Sequence, residues 1–377
     1  MILSGIVFFI ILSILVLVHE FGHFVVARIS GVKVEEFALG LPFTRALWKR
    51  RQKDGMYVSL YPVLFGGFVR LLGEEGPEKR DDPKSFAHKK PWVRAAILVA
   101  GVSMNFLLAI FSLYLFFLLT GFKAFIPDFA NYTFHNADQT RRVIVIDVAG
   151  DSPASQASLR QGDIIVAVDS IDIQSSDQFR QVIKEKAGSP VELTLYHQVA
   201  LRPFSKMITP RENPPEGQGA LGVAIGNVYE VSYNSFSQKL FSGVTAAIDW
   251  SGYTGVILGT LFQISLKEHD AAPVVSNLSG PVEIFSTVDS LIKIGGGESV
   301  LLIIQLLAIM SLNLAILNVL PFPALDGGRL VFVIIEGVTG KRLKAQWEQY
   351  IHQVGMALLL ALMVLVSFKD IWRIFTK

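Results

Sequence analysis

The chain has 377 residues, of which 51% are hydrophobic and 18% are charged, and this composition is too apolar for an ordinary soluble enzyme of the same length. The formal net charge of +2 gives no indication of nucleic-acid binding. Because the sequence contains no cysteine, disulfides and thiolate metal ligands are excluded, and any metal must be bound by His, Asp or Glu.

Four apolar segments are near the length of about 20 residues that a helix needs to cross a bilayer. They lie at about residues 2–26, 93–121, 300–320 and 354–371. The first lacks the basic start and the small-residue cleavage site of a signal peptide, so we predict that it is retained. Composition and segment lengths together predict a polytopic α-helical membrane protein with about four transmembrane helices.

The first apolar segment contains three ionisable residues in the sequence LVHEFGH. His19 and His23 are four residues apart, so a helix places both imidazoles on one face, within reach of a single ion. Glu20 lies beside them and could act as general base on a metal-bound water, as in the HExxH pattern of zinc metalloproteases. The alternative is a polar contact between helices, although ionisable residues inside a spanning helix usually mark a functional site.

The distribution of Lys and Arg predicts which loops face the cytoplasm. Residues 27–92 contain about as many of them as residues 122–299, which form a stretch nearly three times as long. By the positive-inside rule, residues 27–92 and 321–353 are cytoplasmic, whereas the N-terminus, residues 122–299 and the C-terminus lie outside. The basic C-terminal sequence KDIWRIFTK slightly contradicts this assignment.

Residues 54–72 are rich in β-branched and aromatic side chains, and a pair of glycines indicates a bend. We predict a strand or β-hairpin at the inner edge of the membrane. Its Gly66, Gly67 and Phe68 would hold an extended substrate by strand addition. The alternative is an amphipathic loop that lies on the lipid headgroups.

Residues 141–210 alternate short apolar runs with turn residues, in the order strand, short helix, strand, helix, strand. The sequence SPASQASLRQGDIIVAVD resembles the PDZ signature. We therefore predict an inserted extracytoplasmic α+β PDZ domain, which either binds a peptide or substrate end or serves only as a spacer. Residues 236–266 are apolar but interrupted by Asp249, which predicts an amphipathic helix on, or partly within, the outer membrane surface.

A catalytic zinc site usually has three protein ligands, so one more is expected at a similar membrane depth. Asp326 follows the third apolar segment in the sequence NVLPFPALDGGRL, in which Pro321 and Pro323 break the helix. The first and third helices run in the same direction, which would bring this turn close to the HExxH motif. Taken alone, the same sequence would indicate only a turn with a capping Asp.

With both motifs, the sequence resembles the site-2 proteases, which are intramembrane zinc metalloproteases, and most of all the bacterial regulator-of-sigma-E protease branch, here with a single PDZ domain. The family's HExxH motif matches residues 19–23, and its NxxPxPxLDGG motif matches residues 318–328. Further similar blocks are FGGFVRLLGE at 65–74, SFAHKKPWVRAAI at 85–97 and SGPVEIF at 279–285. The resemblance implies Zn²⁺ as cofactor, Asp326 as the third ligand, and Asn318 in contact with substrate or the developing oxyanion.

The second helix departs from the family at one position: it has Val102 where a proline is frequent, whereas Asn105 is kept. The resemblance also implies an endopeptidase of the bacterial inner membrane that cuts single-pass membrane proteins of the anti-sigma-factor or remnant-signal-peptide type. The alternatives are a non-catalytic PDZ scaffold and a metal transporter. The histidines outside the two motifs are predicted to be solvated surface residues: His88, His135, His197, His269 and His352.

The predicted domain organisation has four parts. They are an N-terminal membrane core with the zinc helix (1–121), a PDZ domain with its flanks (122–225), an extracytoplasmic amphipathic region (226–299) and a C-terminal membrane core with the LDGG motif (300–377).

Overall fold

The computed structural model describes residues 1–74, 81–128, 132–197, 203–270, 272, 278–342 and 344–375. Residues 198–202 of the predicted PDZ segment and residues 376–377 of the basic C-terminal sequence lie outside the described residues. The chain divides into two compact units. The first comprises Met1–Ser112, Leu261–Gly295 and Gln305–Lys377, and the second comprises Leu113–Thr260 and Gly296–Ile304. The four-part domain organisation remains a prediction.

Four of the described helices are long and apolar enough to cross a membrane, as the sequence predicted. They are α1 (Ile2–Ile29), α2 (Pro91–Leu119), α7 (Gly296–Val319) and the Gln346–Arg373 part of α9 (Ala345–Phe375). Large apolar side chains such as Leu358 and Leu365 are exposed on α9, which suits contact with lipid rather than water. The predicted segment at 354–371 was too short, because the helix begins in the more polar sequence AQWEQYIHQ.

Shorter helices and a four-stranded sheet complete the first unit. The helices are α6 (Pro281–Ile294) and α8 (Asp326–Thr339). The strands are β1 (Val34–Leu41), β2 (Trp48–Arg51), β3 (Tyr57–Leu60) and β4 (Val63–Leu71), in the order β2-β3-β1-β4.

Residues 54–72 contain strands, as predicted, but β3 and β4 do not pair with each other, so the predicted hairpin is wrong. Strand β1 pairs in parallel with β3 and antiparallel with β4, so β3 and β4 lie on opposite sides of it. The prediction overlooked the sequence VEEFALGL, which pairs with strands on both sides and whose alternating burial shows that one face of it is covered. Strand β4, which carries Gly66, Gly67 and Phe68, is consequently an edge strand of this sheet.

Glu36 connects β1 with the other three strands of this sheet through one carboxylate. Its side chain is only 3% exposed and accepts hydrogen bonds from Ser59 (2.5 Å), Tyr61 (3.2 Å), Lys49 (3.1 Å) and Arg70 (3.2 Å). Burial raises the pKa of this carboxyl, but the hydrogen bonds from Ser59 and Lys49 outweigh burial, so its pKa lies below the ordinary value. The ionised form of Glu36 therefore stabilises the sheet.

We expect Glu36→Gln to lower the free energy of unfolding by about 1–3 kcal/mol at neutral pH, since a charged acceptor is lost from several buried hydrogen bonds. A carboxyl with a lowered pKa stabilises the fold above its unfolded pKa of about 4, and this stability is lost as the pH falls through its lower pKa in the folded protein. Thermal unfolding in detergent at pH 7 and at pH 4 measures both effects. Glu192→Gln at an exposed position of β9 is the control, and equal midpoints for the two variants at pH 7 would contradict the assignment.

The second unit is built on a seven-stranded sheet with the order β10-β9-β7-β6-β11-β5, and β8 pairs with β7. The strands are β5 (Lys123–Pro127), β6 (Asp138–Val148), β7 (Ile164–Val168), β8 (Ile171–Asp172), β9 (Val191–Tyr196), β10 (Phe204–Ile208) and β11 (Val223–Ser232). Helix α3 (Pro153–Gln156) and helix α4 (Ser176–Glu185) lie between them in sequence. Within residues 141–210 this order contains the predicted strand, short helix, strand, helix, strand, with two further strands, β8 and β10.

Serine caps begin both helices of this sheet unit. The Ser152 hydroxyl accepts from the Ser155 N–H at α3, and the Ser175 hydroxyl accepts from the Gln178 N–H at α4. Helix α4 buries Phe179 and Ile183 in the apolar core, beside the inner faces of β6, β7 and β9.

Residues Phe236–Glu268 form one continuous helix, α5, so the helical part of the prediction for residues 236–266 is confirmed. Asp249 does not interrupt it: the carboxylate is 1% exposed, accepts from the His135 N–H at 2.9 Å and lies 2.6 Å from His135 Nδ1. Large apolar side chains, including Phe241 and Phe262, are exposed on the same helix. Its position at the membrane surface remains a prediction.

Candidate metal centre

The residues of the two sequence motifs come together in the first unit. His19 and His23 occupy successive turns near the end of α1, and Asp326 is the first residue of α8. Asp326 Oδ2 lies 3.0 Å from His19 Nε2 and 3.2 Å from His23 Nε2, and the two Nε2 atoms are 3.2 Å apart. Three donor atoms, two nitrogens and one oxygen, thus converge on one point.

This donor set fits a zinc ion. Ligand atoms bound at about 2.0–2.2 Å in a tetrahedral arrangement lie roughly 3.3–3.6 Å apart. The three observed separations, 3.0, 3.2 and 3.2 Å, are slightly shorter, so a small outward movement of the side chains would admit the ion. Two imidazoles and one carboxylate are also a common protein ligand set for catalytic zinc, leaving the fourth position open.

Glycines bring the LDGG turn close to the preceding chain. A Cβ atom on Gly327 would collide with the Leu320 and Val319 carbonyl oxygens, and one on Gly328 would collide with the Phe322 carbonyl oxygen. Residues with side chains would therefore push the start of α8 away from the end of α7, and Asp326 with it.

Glycines also allow α1 and α2 to touch at the level of the histidines. A Cβ on Gly22 of α1 would lie 2.7 Å from the Ala100 carbonyl carbon. A Cβ on Gly101 of α2 would lie 2.6 Å from His23 Cε1 and 2.9 Å from His19 Cε1. Sequence reasoning did not identify Gly101, because a single glycine in an apolar helix does not indicate which residue faces it.

Glu20 faces the same space as the three donors. The residues that line this cavity of about 180 Å³ include His19, Glu20, His23, Phe68, Val69, Glu74, Asp326 and Arg329. The Glu20 carboxylate accepts a hydrogen bond from the Val69 N–H of β4 at 3.0 Å. The edge strand therefore lies directly beside the candidate general base.

The other predicted site residues lie on β4 and at the end of α7. Gly66, with φ +103°, and Gly67 lie in β4 just before Phe68, and a Cβ on Gly67 would lie 2.6 Å from the Ala38 carbonyl oxygen of β1. Asn318 lies in the last turn of α7 and is mostly buried, but it is not among the residues that line the cavity. The contact of Asn318 with substrate thus stays a prediction.

Two features near the centre were missed from the sequence. Arg329 of α8 donates to the Glu74 carboxylate, so an ion pair joins the segment after β4 to the helix that begins with Asp326. His352 is half-buried in α9 and accepts from the Ala324 N–H at 3.1 Å, so its prediction as a solvated surface residue is wrong. That hydrogen bond attaches α9 to the turn that precedes Asp326.

Two imidazoles and an adjacent glutamate lie on a helix that is long and apolar enough to cross a membrane, and a carboxylate from the shorter α8 faces the imidazoles. These are the side chains of a metal-dependent hydrolase. The comparisons agree with this class, because residues 7–362 match peptidase family M50. The chain belongs to this family, the site-2 proteases, and is a zinc metalloprotease.

The relatives cover nearly the whole chain. A Clostridium perfringens protein, provisionally named a zinc metalloprotease, is 31% identical over 359 residues, which are 95% of this chain and 96% of that protein. The regulator of sigma-E protease RseP of Escherichia coli is 28% identical over 97% of this chain and 98% of its own length. The solved PDZ domain of an SdrC-like protein from Listeria monocytogenes is 26% identical, covers 22% of this chain and 85% of that domain, and has a TM-score of 0.20.

Proposed function

We propose that this protein is an intramembrane endopeptidase that cuts membrane-spanning substrates, with His19, His23 and Asp326 as zinc ligands and Glu20 as general base. The observation that carries the proposal is the convergence of the three donor atoms within 4.8 Å of one another. The placement of Glu20 in the same cavity supports its role. Two of the ligands and Glu20 belong to a helix long and apolar enough to span a membrane, which favours a substrate that is itself within the bilayer.

The chemistry of each side chain defines its role in the reaction. Zinc, when bound, supplies a Lewis acid that makes water more acidic and polarises a carbonyl group. Glu20 takes the proton from the attacking water and returns it to the amine of the leaving fragment. The two imidazoles and Asp326 hold the centre in place, and Asn318 would donate to the developing oxyanion from the end of α7.

The edge strand β4 would present the substrate. A helical segment hides its peptide bonds, so it must become extended before cleavage. Strand β4 has β1 on one side only, and the Val69 N–H that contacts Glu20 lies on this strand. An extended segment added to β4 would place its backbone next to Glu20, with Gly66, Gly67 and Phe68 shaping the approach.

The second unit would bind a peptide. A groove of about 730 Å³ lies between α4 and the start of β11, with Phe179, Ile183 and Leu221 among its apolar lining residues. Three basic residues, Arg180, Lys184 and Arg211, line it with one acidic residue, Glu212, and the excess of positive charge suits an extended segment that carries a carboxylate. This is the PDZ function that we propose for the domain.

The distribution of basic residues supports a topology in the bacterial inner membrane, with the metal centre toward the cytoplasm and the PDZ domain outside. The substrates would be single-pass proteins of the anti-sigma-factor or remnant-signal-peptide type. The name of the Escherichia coli relative, regulator of sigma-E protease, supports the first of these.

The test is zinc content measured together with cleavage of a reporter transmembrane segment by the purified full-length protein. We expect about one zinc per chain, loss of cleavage on chelation, and recovery when zinc returns. A protein that binds zinc and moves it across liposomes without cleaving the reporter would instead be a transporter. A protein that binds the reporter, but does not bind zinc and does not cleave the reporter, would be a scaffold.

We expect Gly101→Ala to weaken zinc binding by at least about 10-fold, since the added methyl group overlaps both imidazole rings. Alanine is a better helix former than glycine by about 1 kcal/mol, so loss of helix α2 is not the expected reason. Gly5→Ala in α1 is the matched control, because among the described residues nothing lies within 4 Å of its added Cβ. Equal zinc affinities for the two variants would show that the close approach at Gly101 does not position the ligands.

A further inference from the structure

One face of helix α2 holds both imidazoles of the metal centre. Ile97, Gly101 and Asn105 are four residues apart, so they follow one another along this face, turn by turn. The Ile97 carbonyl contacts His23, Gly101 leaves space for both rings, and Asn105 contacts His19. The same face of α2 thus contacts Nδ1 of each ring, the nitrogen that does not face Asp326.

We infer that Asn105 is a positioning residue: its side-chain oxygen accepts a hydrogen bond from the Nδ1–H of His19 and holds this ring in the tautomer whose Nε2 can bind zinc. The inference rests on the proposed function, since it concerns how a proposed ligand is held. It assigns a role to a buried amide that is neither a ligand nor a catalytic group.

His23 provides the reference for this argument. Its Nδ1 lies 2.8 Å from the Ile97 carbonyl oxygen, and a carbonyl oxygen can only accept, so Nδ1 carries the proton. A neutral imidazole has one N–H, which leaves the lone pair on Nε2. This Nε2 is the atom that faces Asp326 at 3.2 Å.

His19 requires the same tautomer. Its Nε2 faces Asp326 Oδ2 at 3.0 Å, so a metal at this point needs the Nε2 lone pair, and the proton must be on Nδ1. The group opposite Nδ1 must then be an acceptor. Metal-binding histidines are generally oriented in this way by a hydrogen bond from the second ring nitrogen.

Asn105 is the group at that position. It is 0% exposed, and its side-chain amide lies 3.1 Å from His19 Nδ1. The structure places Nδ2 toward the ring, so that a donor faces Nδ1; this would force the proton onto Nε2, where it blocks the metal. The Oδ1 atom meanwhile has no hydrogen-bond partner within the described part of the chain.

A half-turn of the carboxamide exchanges its oxygen and nitrogen without changing its shape, and it places Oδ1 against the Nδ1–H of His19. The nitrogen then takes the former place of the oxygen. The tautomer needed at Nε2 therefore decides the orientation, rather than the number of satisfied atoms.

The experiment compares zinc dissociation constants of the full-length protein in detergent, by competition with a chromophoric chelator. Asn105→Leu keeps the size of the side chain but removes the acceptor, and we expect zinc to bind about 10- to 100-fold more weakly. Asn105→Asp keeps an oxygen in place, and we expect an affinity within about threefold of wild type or tighter. Ser311→Ala is the matched control: its buried hydroxyl donates to the Asn105 backbone carbonyl at 2.8 Å, and we expect no change in affinity.

A second readout reports the tautomer directly. In metal-free Asp326→Ala protein with ¹⁵N-labelled histidine, which lacks the carboxylate that accepts from His19 Nε2, we expect the His19 signals of an Nδ1–H ring with Asn105 or Asn105→Asp, and their loss in Asn105→Leu. A loss of packing alone would not transfer the proton between the two ring nitrogens. This readout does not depend on enzyme activity.

The outcomes separate the inference from the proposed function. If wild type and Ser311→Ala bind zinc and Asn105→Leu binds it equally well, the inference is overturned and the proposed function stands. Equal losses in Asn105→Leu and Asn105→Asp, with thermal midpoints like that of wild type, also overturn it, because an acceptor would not be what matters. If wild type binds no zinc, the proposed function fails and the inference fails with it.

Discussion

Glu20→Gln is expected to abolish cleavage of a membrane-embedded reporter while leaving zinc bound. The amide keeps the size of the side chain and can still contact the Val69 N–H through its oxygen, but it cannot take a proton from water. General-base catalysis contributes about 10²- to 10⁴-fold, so the rate constant should fall by at least about 100-fold. Single-turnover cleavage and metal analysis of the same sample measure both quantities.

Two variants control this prediction. Glu20→Asp keeps a carboxylate but shortens its reach by one methylene group, so we expect an activity between those of wild type and Glu20→Gln. Glu268→Gln makes the same chemical change at an exposed position at the end of α5, and we expect full activity. Cleavage by Glu20→Gln at the wild-type rate would remove Glu20 from the mechanism, and loss of its zinc would make the residue structural.

The helical spacing of the first motif was sufficient to predict half of the centre. His19 and His23 had to share a face because four residues make about one turn, and a helix of this apolarity leaves few other reasons for two imidazoles. Asp326 lies 307 positions from His19, and the two motifs were connected only by the need for a third ligand, the predicted direction of the helices and the resemblance to a family. Their meeting at 3.0 Å depends on the contacts of α8 with α7, which no local pattern encodes.

The contribution of α2 could not be predicted in the same way. His23 is held by a backbone carbonyl, which every residue possesses, so the sequence gives no indication of that contact. Gly101 acts through the absence of a side chain. Asn105 could be recognised as a polar residue in an apolar helix, but its partner on α1 could not be identified from the sequence.

The sheet illustrates a different reason for failure. The segment 54–72 contains two strands, as its composition indicated, but sequence proximity suggested that they pair with each other. Strand β1, which precedes both, lies between them and is held there by the Glu36 carboxylate. The two glutamates of VEEFALGL do not indicate a central strand, although Glu36 is one of the most buried acidic side chains described.

Asp326→Ala is expected to weaken zinc binding by more than about 100-fold and to abolish cleavage, because two imidazoles alone leave two positions of the ion without protein ligands. The variant also removes the acceptor that faces both rings, so zinc added in excess should restore little activity. Asp177→Ala is the matched control, since this carboxylate is 93% exposed and contacts only Arg180 among its described ion-pair partners. Zinc affinity is measured by chelator competition, and cleavage is then measured at saturating zinc. A thermal midpoint equal to that of wild type shows that a ligand was lost, whereas a lower midpoint shows that the fold was disrupted. A variant that binds zinc as tightly as Asp177→Ala would show that the third ligand is another residue, and the convergence of Asp326 on the two histidines would then be a hydrogen-bonded contact.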